Sequence, residues 1–178
     1  MKNTVTWIGT LLALMWGLEL LNLFMGHSLS RIAGIHPRTV SGLLGIPASP
    51  FLHFSFFHLL MNTLPFAVLG GLICLQDKKL FLEVSLIVII VSGLAVWILG
   101  RSAVHAGASA LIFGYFGFLL ASGWYAKDLQ SILIALCVLV FYGGMIFGIL
   151  PLRAYVSWEG HLSGLLAGIL AAKLDSRL

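Results

Sequence analysis

Six stretches of this chain are apolar over lengths at or near those that cross a bilayer, and this repetition constrains the fold more than any other feature. A spanning helix needs roughly 20 mainly apolar residues. The runs fall at about 5–25, 52–75, 83–99, 107–124, 131–150 and 158–173. In hydrocarbon every backbone N–H and C=O must be satisfied within the protein, so runs of this length resolve as helices. Composition agrees: 60% of the residues are hydrophobic and 9% are charged, against roughly 25% charged in a soluble domain. The expectation is an all-α polytopic membrane protein with one six-helix transmembrane domain over residues 1–178 and no soluble domain. The first run exceeds the core of a signal peptide and reads as a retained helix.

The connections are short except the first, Gly26 to Phe51, which holds Arg31, His36, Pro37, Arg38, Pro47 and Pro50. Its half-apolar character predicts a segment lying at the membrane interface, with Arg31 and Arg38 as interfacial anchors. With a cytoplasmic N-terminus the inner segments carry Lys2, Lys78, Lys79, Lys127, Lys173 and Arg177, and the outer ones Arg31, Arg38, Arg101 and Arg153. That bias favours both termini inside. Trp124 and Tyr125 suit an inner interfacial belt. Cys74 and Cys137 lie in apolar runs without metal-ligand spacing, and no basic cluster of the nucleic-acid-binding kind is present.

Polar groups in hydrocarbon are costly, so their positions carry the functional signal. Spans two, four and six enter from the same, outer side. They open with "FLHFSFFHLLMN", "HAGASA" and "WEGHLSG". His58, Ser109 and His161 are expected a few residues inside their helix starts, roughly 6–9 Å deep at 1.5 Å per residue. His58 and Asn62 are one turn apart and share a face, as do Ser109 and Phe113. Gly107 lets backbone or substrate approach closely. Gly164 and Gly168 form a small-x-x-x-small face that could bring His161 against Ser109. His53 and His105, nearer the interface, read as solvated.

This set contains the parts of a serine hydrolase. A serine hydroxyl needs a base to take its proton, and histidine suits that task. The Ser109 N–H at a helix start, the Asn62 amide and His58 are candidate oxyanion donors. Asp77, Glu83, Asp128 and Asp175 fall on the wrong side for a third, acidic member, and Glu159 is two residues from His161 on another face. Glu19, in the outer half of span one, reads as a helix-packing partner. Taken singly, each residue has a packing reading; their coincidence at one depth favours an enzyme. The alternatives are a catalytically silent binder of membrane helices and a small transporter. The transporter would need polar residues through both leaflets, and the inner halves of spans two, four and six are nearly all apolar.

At these motifs the chain resembles the rhomboid intramembrane serine proteases in their bacterial six-helix form. The family's His-x-x-x-Asn is matched by His58 and Asn62, its Gly-x-Ser by Gly107-Ala108-Ser109, and its His-x-x-Gly-x-x-x-Gly by His161, Gly164 and Gly168. The resemblance implies Ser109 as nucleophile, His161 as general base, and Asn62, His58 and the Ser109 N–H as the oxyanion hole. His53 matches a further histidine near the second span. It also implies a first loop partly embedded in the outer leaflet, transmembrane proteins as substrates, a bacterial inner-membrane location and no cofactor or metal. Two departures stand out. Ala110 replaces the glycine common after the nucleophile, and Phe113 replaces a tyrosine packed under the histidine. The Trp-Arg pair of some first loops is also missing.

Overall fold

The computed structural model describes residues 2–153 and 155–175; Arg177, counted above among the inner basic residues, lies outside them, as does the Lys2 side chain. Helix α1 (Lys2–Phe24) is followed by two short helices of the first connection, α2 (Ser28–Ala33) and α3 (Val40–Ala48), and a 3-10 turn at Ser49–Phe51. Next, α4 (Phe56–Pro65), a π-helical turn at Phe66–Gly70 and α5 (Gly71–Gln76) form one rod. Then come α6 (Lys78–Leu99), α7 (Ser109–Tyr125), α8 (Leu129–Tyr142), which continues as a 3-10 helix over Gly143–Ile149, and α9 (Trp158–Leu174). Thr4–Phe24, Phe56–Gln76, Lys78–Leu99 and Leu129–Ile149 are long and apolar enough to cross a membrane. With α7 and α9 they make a polytopic helical membrane protein.

The helix starts differ from the sequence expectation where capping intervenes. The third run begins at Lys78 and not near 83, because the Asp77 side chain accepts from the Lys79 and Leu80 N–H groups. Lys79 then pairs with Glu83 one turn on, and Lys78 Nζ sits 3.8 Å above the Trp7 ring. Asp128 accepts from Ser131 N–H at 2.9 Å and starts α8 at Leu129. The second run begins at Phe56, capped by Ser55, so His53 precedes the helix. Gly107 lies outside α7, since its φ of 131° is incompatible with a helix. The depths shift accordingly: Ser109 is the first residue of α7, His58 the third of α4 and His161 the fourth of α9. Pro65 lacks an N–H, and the helix passes through its π-turn directly after it.

At 17 residues, α7 is short, and it is the centre of the bundle: every residue from Leu111 to Leu119 is buried. It packs most extensively on α9, through small residues. A Cβ on Gly164 would collide with the Ala110 carbonyl oxygen, and one on Gly168 with that of Gly114. Backbone thus meets backbone, the approach small residues allow between membrane helices. By contrast, only Val138 of α8 is buried.

The first connection is fastened to the bundle. Ile35 and His105 exchange backbone hydrogen bonds at 2.8 and 3.0 Å. Arg38 is exposed, and its guanidinium donates to the Ile98 and Gly100 carbonyls and to Ser102 Oγ, capping the end of α6. Outward, α3 exposes Val40 and Leu44 at 83% and 79%, an apolar surface suited to lipid.

Candidate active site

The segment before Ser109 is irregular, and its polar backbone is held by neighbouring elements. Besides the Ile35 pairing, Gly107 N–H donates to Ser49 O at 2.8 Å and Ala108 N–H to His53 Nε2 at 3.3 Å. This meets the requirement that non-helical backbone at membrane depth be paired within the protein. The Gly107 φ of 131° excludes other residues, and a Cβ there would lie 2.9 Å from His58 Nε2 and 3.9 Å from Asn62 Nδ2. His58 and Asn62 therefore face the backbone leading into the serine. Ser109, at the tip of α7, has one of the first-turn amides that no helical carbonyl can take.

His161 stacks on Phe113, with ring centroids 4.3 Å apart and planes 8° from parallel. Phe113 is one turn beyond Ser109 on α7, so the stack sets the imidazole beside the serine's face of the helix. His161 Nδ1 lies 2.8 Å from Gly148 O. A carbonyl only accepts, so Nδ1 carries the proton and Nε2 keeps its lone pair. Gly148 belongs to the 3-10 helix that follows α8, and a Cβ there would meet Phe113 Cζ at 2.8 Å and His161 Nδ1 at 3.1 Å. Sequence reasoning missed it. Its only trace is a glycine in a glycine-rich apolar stretch, whereas the orienting partner of the histidine was sought among acids.

Asn62 is 8% exposed and its Nδ2 is buried without a hydrogen-bond partner among the described residues. Such a donor is costly to leave unmade, and it is available to a group arriving at Gly107 and Ser109. No hydrogen bond joins the Ser109 hydroxyl to a described side chain. Catalytic hydrogen bonds are commonly loose until substrate is bound. A cavity beside the serine is lined by Ser49, Ser92, His105, Gly107, Ser109 and Ser157, among others. Ala110 touches the same cavity while its backbone packs on Gly164.

Neither His53 nor His105 is solvated. His53 is fully buried, its ring edge-on to His58 at 5.0 Å. His105 is 5% exposed; Nε2 donates to Arg101 O, leaving Nδ1 to accept from Ser157 Oγ at 2.7 Å. Ser157 is also the N-cap of α9. Arg101 meets Glu159 through both its backbone and its guanidinium. These contacts tie the stretch before the serine to the helix carrying His161. Glu19 is buried in a cluster with Asn22, near His27.

A family model described as the Rhomboid domain matches residues 40–178. The chain is 39% identical over 180 residues to an uncharacterized protein of Mycobacterium tuberculosis (strain ATCC 25618 / H37Rv), an alignment covering 96% of this chain and 75% of the relative. An uncharacterized protein of Mycobacterium leprae (strain TN) is 38% identical over 176 residues, covering 94% of this chain and 69% of the relative.

Proposed function

The chain belongs to the rhomboid family, and on that premise we propose that it is an intramembrane serine endopeptidase cutting peptide bonds in or near transmembrane segments of other membrane proteins. Ser109 Oγ attacks the scissile carbonyl carbon while His161 Nε2 takes the hydroxyl proton. The negative charge that develops on the carbonyl oxygen is met by Asn62 Nδ2, His58 and the Ser109 N–H. Collapse breaks the C–N bond, His161 protonates the departing amine, and an acyl-enzyme remains. Water, deprotonated by the same imidazole, then attacks the acyl carbon; the Ser109 Oγ–C bond breaks, the imidazolium returns its proton to Oγ, and the acid leaves. The dyad needs neither cofactor nor metal. The observation carrying this reading is the commitment of His161 Nδ1 to Gly148 O while the ring stacks beside the serine's helix face. It supports a base with a fixed tautomer and a free Nε2.

In this reading α1, the α4–α5 rod, α6, α7, α8 with its 3-10 extension, and α9 each cross the membrane as one domain. The membrane is the bacterial cytoplasmic one, both termini are cytoplasmic and the site opens outward. The deciding experiment uses purified wild type and Ser109→Ala with a fluorophosphonate probe and a transmembrane substrate. Labelling and cleavage by wild type alone are expected. Equal cleavage by the variant, or a wild type inert to both, overturns the assignment. For the oxyanion hole, Asn62→Ala is expected to lower kcat by about 10²-fold with KM little changed, as when one such donor is lost. A drop confined to KM would place Asn62 in substrate binding.

A further inference from the structure

The first helix carries a polar cluster that the hydrolytic scheme does not use. Glu19 and Asn22 on α1, Ser30 on α2 and His53 ahead of α4 are each 1% exposed or less. The hydrogen bonds of Asn22 and Ser30 converge on one atom. Asn22 Nδ2 donates to His53 O at 2.7 Å, and Ser30 Oγ donates to the same oxygen at 2.6 Å. Asn22 Nδ2 also reaches Ser30 Oγ at 2.7 Å and Glu19 Oε2 at 3.2 Å, and Asn22 Oδ1 accepts from Ser30 N–H.

That carbonyl belongs to the non-helical stretch between the 3-10 turn and α4, outside any helical ladder. Here two donors, backed by a carboxylate, fix a single residue whose ring does two further things: it accepts Ala108 N–H immediately before Ser109, and it buttresses His58 edge-on. Glu19 Oε1 and His53 Nδ1 have no hydrogen-bond partner among the described residues, but the His53 carbonyl and Nε2 are both engaged, and two-point fastening of this kind orients a ring as a preorganised site needs.

We propose that Asn22, with Glu19 and Ser30, is a positioning unit that sets the oxyanion side of the site through His53. The proposal rests on the proteolytic reading for its catalytic consequence. Asn22 touches no reacting atom; it fixes the His53 backbone, the ring follows, and the Ala108–Ser109 turn and His58 take their places from the ring.

The test is kinetic titration of Asn22→Leu with a fluorophosphonate, together with kcat and KM. The expected result is an unchanged fraction of labelled protein, a labelling rate constant and kcat lower by roughly 10- to 100-fold, and an unchanged KM. In a cycle with His53→Phe, the double variant is expected to be no slower than His53→Phe alone. A reduced labelled fraction with a wild-type rate constant, or losses that multiply in the double variant, would overturn the proposal. Should Asn22→Leu fail to fold, Ser30→Ala removes one of the two donors and gives the same pattern with a smaller loss. If wild type itself neither labels nor cleaves, the proteolytic reading falls separately. The linkage is then read from the ¹⁵N resonance of His53 Nε2: displacement in Asn22→Leu upholds it, and an unmoved resonance ends it.

Discussion

Replacing His161 by alanine is expected to lower kcat by about 10⁴-fold or more, while KM for a transmembrane substrate stays within about threefold, since in the proposed mechanism His161 acts as a base in the transition state and not in binding. Without an acceptor the Ser109 hydroxyl attacks as a neutral alcohol, and the departing amine must find its proton elsewhere. The substitution also removes a ring from Phe113, so packing and chemistry must be separated. His161→Phe does this, keeping an aromatic stack and deleting both nitrogens. Both variants are expected to melt near wild type and to cut at the same residual rate. A Phe variant retaining a tenth of wild-type kcat would remove His161 from the mechanism. Wild-type kcat/KM is expected to rise with pH through one ionisation, because only unprotonated Nε2 can take the serine proton. That inflection should vanish in both variants.

What the sequence disclosed about this site, and what it withheld, follows from the range of the interactions involved. His58 and Asn62, Ser109 and Phe113, and Gly164 and Gly168 are pairs one turn apart on single helices, so spacing alone places each pair on a face. The seam between α7 and α9 was legible for the same reason, since a small-x-x-x-small face asks for a close neighbour. Partners supplied by backbone were hidden. Gly148 O holds His161, and the His53 carbonyl gathers Asn22 and Ser30; a carbonyl is present at every position and marks none. His105 was misread because composition near an interface predicts solvation; it is buried and instead binds a capping serine that belongs to another helix. Helix starts moved where a local cap overruled hydropathy: Asp77 and Asp128 extend their helices into polar residues, whereas the Gly107 dihedral delays α7 until Ser109.

The seam itself gives the second large effect. Gly168→Val is expected to destabilise the protein by at least about 3 kcal/mol in reversible unfolding in detergent, the upper range for overpacking, because the obstacle is backbone. A side chain at 168 would collide with the Gly114 carbonyl oxygen and sit 2.7 Å from its carbon. Neither atom can move without bending α7, which is packed on all sides. The strain is relieved by parting α9 from α7, and His161 lies two turns before Gly168 on the same helix. Cleavage should therefore fall along with stability. Gly17 provides the contrast, since a Cβ built on it finds nothing within 4 Å. Gly17→Ala is expected to be neutral or to gain up to about 1 kcal/mol, the helix-propensity difference between the two residues. Equal unfolding free energies for the two variants would mean that α7 and α9 are not held by backbone contact, and the stacking of His161 on Phe113 would need another cause.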